Sequence, residues 1–491
     1  MARSSDGEQV AQHLCWKPSS GCVAALGVIG LVTAALAGCG GGDQQIEIQC
    51  SAAQVQGKCS SCMCHAKGGK CSSPGFCTAC RSPYTFVPSE NGTSDSSCAF
   101  PCPHTAPPRP KMPKHATDLN GEEWPQACFN GTEPQHFFVI GDWGGAGVPP
   151  KPFWTGGRPF VKGIDDQAQQ LVAARMKEVS ETSKPLFLIN VGDNFYPGGI
   201  DGHCQMDSGP AAFKSVQFAG IFEAVYVGDD LEKKEWWGVL GNHDYGGFCY
   251  LKAWDQNVFY TWNSNESRWL TPALYWHRRA QFRDFSADFF FLDTNIDDVF
   301  EPHADPGHNI CSYQNSVTLP CTPGGPVCNG TTMKDPDSCQ AWFKVNWQEQ
   351  IKWLEAKLDA SDADWQIVVA HYPADAAPAM TDALLPFSKK YGIDLIISGH
   401  RHQQEAHYKE ARYGDTAWIV SGGGGGIESE GVPDVNGQDD QYGFFDVTIS
   451  RDEILLEGYS HGGVHGKKTI RHRTTVHPRA RATPQVEDTI V

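Results

Sequence analysis

The stretch KPLFLINVGDNFYPGG, residues 184–199, sets the reading of the whole chain. Its first half is a short apolar run of the length and texture of a strand buried on both faces. Gly192 and Asp193 then turn the chain. In an open α/β sheet, ligands collect beyond the carboxyl ends of the strands, which is where this aspartate falls. Tyr196 follows three residues later. It is either a packing aromatic or a phenol placed to work beside the carboxylate.

Six more runs share the pattern: HFFVI (136–140), WWGVL (236–240), ADFFFL (287–292), WQIVVA (365–370), IDLIIS (393–398) and TAWIVS (416–421). Helical stretches separate several of them. DDQAQQLVAARMKEVSE (165–181) sets Leu171, Val172, Met176 and Val179 on one side, and WQEQIKWLEAKLDA (347–360) does so with Ile351, Leu354 and Leu358. Strands alternating with helices predict an α/β layered fold.

The strand ends carry a consistent chemistry. FFVIGDWGG delivers Asp142, LINVGDNFY delivers Asp193 and Tyr196, and WGVLGNHDY delivers Asn242 and His243. IVVAHYP delivers His371, and LIISGHRHQ delivers His400 and His402. Any one of these alone reads as a turn or a capped loop. Five in this order place oxygen and imidazole donors on one rim. Two cations held close together repel unless an anionic oxygen lies between them, and Asp193 is the natural bridge. Two-metal sites of this kind hold ions about 3.5–4 Å apart and clamp a displacement at phosphorus. Carboxylate, amide, phenolate and imidazole donors suit iron, manganese or zinc.

The array resembles the calcineurin-like metallophosphoesterases and, within them, the small animal-type purple acid phosphatases. The matching motifs are GDWGG, GDNFY, GNHDY, VVAHYP and GHRH, with FFFLDTN and IVSGGGGGIE as further similar segments. The likeness runs from about His136 to about Ser460. It implies a layered β-sandwich flanked by helices, preceded here by a small Cys-rich disulfide module. It implies ferric iron held by Asp142, Asp193, Tyr196 and His402. A divalent iron, zinc or manganese would be held by Asp193, Asn242, His371 and His400. The implied reaction is acid hydrolysis of phosphomonoesters, with a metal-held hydroxide attacking phosphorus and His243 orienting phosphate and protonating the leaving group. Animal-type relatives carry one more histidine soon after HYP. No histidine lies between His371 and His400 here, and Asp375 is the nearest acidic substitute. A phosphodiesterase or nucleotide hydrolase is the second reading, which Tyr196 disfavours. A binding protein with a vestigial metal domain is the third, and no ligand position is substituted in its favour.

The rest of the chain bounds the setting. The net charge of −18 excludes a nucleic-acid surface for the body of the protein. Of 19 cysteines, nine fall between Cys50 and Cys102, in a module too poor in large apolar residues to fold on a core. Its CxxC pairs approach zinc-ribbon spacing, but the extra cysteines fit disulfides better. With sequons at Asn91, Asn130, Asn265 and Asn329, the cysteines point to the secretory pathway. The apolar run Val23 to Ala37 fits a cleaved signal peptide, and an uncleaved membrane anchor stays open. The expected order is a signal or anchor (1–39), the Cys-rich module (40–102), a Pro-rich linker (103–134) and the catalytic domain (135–460). A cysteine-containing insertion (301–341) interrupts that domain, and a basic tail (461–491) follows it. The product would be secreted or membrane-anchored with its catalytic domain outside the cytoplasm. The Cys-rich module leaves room for a partner the sequence does not name.

Overall fold

The computed structural model describes Cys102 and residues 108–479 apart from 132–133, 203–215, 247–252, 265, 305–308, 314–329, 464–466 and 468. It also describes the backbone of six short strands between Leu26 and Ala99. The expected signal segment and the other cysteines of the N-terminal module therefore lie outside the described side chains, while Cys102, at the end of that module, is disulfide-bonded. The chain divides into two compact units, Met1–Thr105 with Arg283–Phe285, and Ala106–Phe282 with Ser286–Val491. Among the described residues no helix is long and apolar enough to cross a membrane.

The larger unit carries two seven-stranded sheets. Its strands are numbered here from β1 (Glu123–Phe129) and β2 (Gln135–Ile140). β3 (Leu188–Asn190), β4 (Trp236–Gly238) and β5 (Trp269–Leu270) run parallel to β2, in the order β5-β4-β3-β2. The first sheet is completed by later strands of the chain. The second contains β6 (Trp276–Phe282), β7 (Ser286–Phe291), β8 (Trp365–Val369), β9 (Leu395–Ser398), β10 (Gln404–His407) and β11 (Ala417–Ser421). Its order is β10-β11-β9-β8-β7-β6-β1, with β7, β8, β9 and β11 parallel. β12 (Gly443–Ile449), β13 (Ile454–Ser460) and β14 (Ile470–Val476) extend the first sheet antiparallel from β2. All seven apolar runs named above are strands.

Alternation along each strand builds three apolar layers. In β2, Phe137 points between the sheets and meets Phe289 of β7 at 5.7 Å, while Phe187 stacks on Trp237 at 3.8 Å. The next residues, Phe138 and Phe290, point outward to helices. Helix α1 (Ala168–Ser183) covers the first sheet with Val172, Met176 and Val179. Helices α2 (Pro336–Ala360) and α3 (Pro378–Tyr391) cover the second with Leu354, Leu358, Met380 and Leu384. The result is the expected β-sandwich flanked by helices.

Three expected boundaries differ. β1 lies inside the stretch read as a Pro-rich linker, because EWPQACF hides its pairing with β6 behind Pro125 and polar residues. α2 starts inside the expected insertion, where Asp335 caps it, Pro336 opens it and Ser338 closes a capping box. Cys311 and Cys339 are joined there by a disulfide that is buried in the core rather than on the surface. Cys321 and Cys328 fall outside the described residues. Finally, IRHRTTV of the expected tail is the edge strand β14, whose arginines lie along the solvent side.

Candidate metal centre

The parallel ends of β2, β3 and β4 in one sheet, and of β8 and β9 in the other, open onto one rim. Asp142, Asp193 and His400 each follow a glycine and adopt left-handed backbone angles, with φ of 57°, 52° and 68°. Such angles are uncommon for residues with a side chain and collect at functional sites. The glycines let neighbouring loops close in. A Cβ on Gly241 would stand 2.1 Å from Asp193 Oδ1, and one on Gly399 would stand 2.5 Å from Asp142 Oδ2. Gly241→Ala is therefore expected to push Asp193 out of place. It should cost about 1–3 kcal/mol, the usual price of overpacking, with loss of bound metal, read by thermal melting and elemental analysis.

The side chains carried by these loops lie close together. The Tyr196 hydroxyl donates to Asp142 Oδ1 at 3.0 Å and to Asp193 Oδ2 at 2.9 Å. His402 Nε2 lies 3.8 Å from Asp142 Oδ1. On the other side, His371 Nε2 lies 3.5 Å from Asp193 Oδ2 and 3.1 Å from Asn242 Oδ1. Asp193, His371 and His400 offer ligand atoms all within 4.8 Å of one another. Asp193 is thus common to both halves. His243 donates its backbone N–H to Asp193 Oδ1 at 2.8 Å, and its ring lies 4.4 Å from that of Tyr196.

The electrostatics set buried carboxyls and a phenol against a ring of imidazoles. Burial pushes the Asp142 carboxyl well above the usual range, with Asp193 adding to the rise and His371 opposing it. Burial would also raise Asp193, but the His371, His243 and His400 imidazoles outweigh it and hold that carboxyl far below. Burial, then the two carboxylates, drive the Tyr196 phenol well above its ordinary value. Burial opposes charge on His371, yet Asp193 and Asp142 raise it to about 9. Burial, with help from His243 and His371, lowers His402 to about 4. Two buried carboxylates sharing one phenol proton, ringed by imidazoles, fit a pair of cations. The oxygen and nitrogen donors fit iron, zinc or manganese.

Backbone carbonyls fix the rings. His371 Nδ1–H points to the Val191 carbonyl at 2.8 Å, leaving Nε2 for the site, and the His402 ring bonds the Glu428 carbonyl. His243 Nδ1 faces the Pro197 carbonyl, which turns Nε2 away from it. Metal-binding histidines are commonly oriented this way.

Several supporting groups carry no signal in a strand-end reading. Asp244 accepts from the N–H groups of Gly241 (2.8 Å) and Asn194 (3.0 Å) and from the Asn194 amide (2.8 Å), tying two motif loops together. Burial and Asp193 raise its carboxyl to about 7. Thr294 Oγ1, beyond β7, accepts from the N–H groups of His371 (3.3 Å) and Tyr372 (3.1 Å). Asp244 and Thr294 lie within the GNHD and FLDTN letters, but neither directly follows an apolar run. Asp375 is not a free acid. Both its oxygens bind Arg401, at 2.8 and 3.1 Å, so it braces the GHRH loop.

The calcineurin-like phosphoesterase family pattern matches residues 136–404, more than half of the chain and every strand end just described. Purple acid phosphatase 7 of Arabidopsis thaliana is 26% identical over 360 residues, covering 70% of this chain and 86% of that protein. Among solved structures, GAP50, the anchor in the inner membrane complex of Plasmodium, aligns at 19% identity and a TM-score of 0.45, covering 71% of this chain and 90% of that one. The purple acid phosphatase PPD1 of yellow lupin (Lupinus luteus) aligns at 15% identity and a TM-score of 0.39, covering 74% and 55%. On the family match, the chain belongs to the calcineurin-like phosphoesterase family, which makes it a phosphoester hydrolase and implies a dinuclear metal centre.

Proposed function

We propose that the protein is an acid phosphatase that hydrolyses phosphomonoesters at a dinuclear centre of the purple type, with ferric iron beside a divalent ion. The observation that carries this reading is the Tyr196 hydroxyl held between Asp142 and Asp193. A phenol buried against two carboxylates costs a great deal as an anion unless a hard, highly charged cation takes the proton's place. Asp142, Asp193, Tyr196 and His402 would hold ferric iron. Asp193, Asn242, His371 and His400 would hold a divalent iron, zinc or manganese. When bound, the ions supply Lewis-acid charge that activates water and neutralises phosphate oxygens. The chain's own residues do the rest. The donors fix the ions, His243 Nε2 is free to orient phosphate and protonate the departing oxygen, and Asp244 holds the loops that carry both.

The buried Cys311–Cys339 disulfide suits an oxidising compartment, and Asn130 is exposed as a glycosylation site must be. Both support a secreted or anchored protein with its catalytic domain outside the cytoplasm.

The test is purification followed by metal analysis, a visible spectrum, and parallel assays on a monoester and a diester. The expected protein carries iron, absorbs in the visible through tyrosinate-to-iron charge transfer, and prefers the monoester. Tyr196→Phe should abolish the band and weaken metal retention at the first position. A colourless wild-type protein that contains ferric iron would remove Tyr196 from the ligand set, and a diester preference would favour the second reading.

A further inference from the structure

We propose that Asp293 is a positioning residue for the second metal position, gripping the GNHDY loop on both sides of Asn242 and His243 and setting it against His371. The inference rests on the dinuclear reading above and adds a residue that lies outside the proposed ligand set.

Asn242 and His371 reach the rim from different sheets, one beyond β4 and the other beyond β8. Asn242 Oδ1 and His371 Nε2 nonetheless lie 3.1 Å apart, close enough to serve one ion. Three consecutive residues beyond β7 span the gap between the sheets: Asp293, Thr294 and Asn295. Thr294 Oγ1 receives the N–H of His371 in the second sheet. Asn295 Nδ2 donates to the Leu240 carbonyl at 3.0 Å, two residues before Asn242. The Tyr245 hydroxyl, three residues after Asn242, donates to Asp293 Oδ2 at 2.8 Å.

The Asp293 carboxyl controls both grips, and it is 2% exposed. Its Oδ1 accepts from the Asn295 amide at 2.7 Å and from the Asn295 N–H at 3.1 Å. The first of these bonds fixes which end of the amide is NH₂, and that end also meets Leu240. Oδ2 accepts from Tyr245 and from the Asn346 amide at 3.2 Å. Four donors on two oxygens are the pattern of an ionised carboxyl, which only accepts. The main chain of Asp293 is pinned as well. Its N–H donates to Gln350 Oε1 and its carbonyl accepts from Gln350 Nε2, both at 2.8 Å. Asn346 and Gln350 stand four residues apart on α2, so one face of that helix holds Asp293. Phe343, on the preceding turn, meets the Tyr245 ring edge-on at 5.1 Å. These bonds act on two of the four groups proposed for the second ion. None of them touches Asp142, Tyr196 or His402, the groups proposed solely for the first.

The experiment compares full-length wild type, Asp293→Asn and Tyr245→Phe. Each is saturated with iron and zinc, desalted, and read by elemental analysis, visible spectrum and titration of the second ion. Wild type should retain two ions. Asp293→Asn keeps the shape but turns an NH₂ toward donors, so at least one grip is lost and the other weakened. It should keep the first ion and the visible band, with the second ion's Kd raised about 10–100-fold, the usual cost of removing a ligand's support. Tyr245→Phe loosens one grip only and should raise that Kd several-fold. Wild-type affinity for the second ion in either variant, an equal loss of both ions, or a loss confined to the first would overturn the positioning role. Should Asp293→Asn fail to fold, Tyr245→Phe alone decides by the same outcomes. Fewer than two ions in the wild type itself would bring down the dinuclear reading, and this inference with it.

Discussion

Asp193→Asn is expected to lose the paired ions and to lower phosphomonoester turnover by about 10³-fold or more. Asp193 is the carboxylate common to both halves of the site, with Oδ2 2.9 Å from the Tyr196 hydroxyl and 3.5 Å from His371 Nε2. Two unit charges 4 Å apart interact by about 4 kcal/mol at an effective dielectric of about 20, and multiply charged ions by several times that. A neutral amide oxygen between them cannot offset such repulsion. Losing several kcal/mol of charge stabilisation in the transition state corresponds to three powers of ten or more. Asparagine matches aspartate in shape and tolerates the left-handed φ of 52°, so the fold should persist. The metal-free protein offers a second readout. Burial opposes charge on His371, and Asp193 is the leading partner that overcomes it and raises the ring to about 9 from 6.5. That contribution to stability is complete below about 6.5 and lost as pH rises through about 9. In Asp193→Asn the His371 resonance should titrate at lower pH and this alkaline loss should shrink. A variant that still holds two ions would show that the bridge lies elsewhere.

The strand ends were legible because parallel strands buried on both faces leave unbroken apolar runs, and the letter after each run is where a ligand falls. The antiparallel parts were not. β6 reads WHRRAQF, yet Arg278 reaches Glu235 at 2.5 Å and Arg279 grips Asp288 at 2.8 and 2.9 Å, so charge in the letters conceals burial in the fold. β14 was obscured in the same way by its solvent-side arginines. Thr294 escapes the pattern for a different reason. It meets the rim through the turn beyond β7, and spacing carries no information about where a turn sends a side chain. Asp375 shows the opposite error: its position after HYP suggested an acid, and only the partner, Arg401, reveals a brace.

That distinction bears on leaving-group protonation. His243→Asn is expected to lower kcat by about 10²–10⁴-fold while leaving both ions in place, since general-acid help is typically worth that much and His243 is not among the proposed metal ligands. Its Nδ1 is turned to the Pro197 carbonyl, so Nε2 is the nitrogen left to meet an ester oxygen. The loss should depend on the ester. A nitrophenyl phosphate, whose phenolate departs without a proton, should suffer least, and an alkyl phosphate most. Asp375→Asn should have a small effect that does not vary with the leaving group, because both carboxylate oxygens are already occupied by Arg401 at 2.8 and 3.1 Å. A leaving-group-dependent loss in Asp375→Asn and none in His243→Asn would reverse the assignment. It would make the acid after HYP the replacement for the missing histidine.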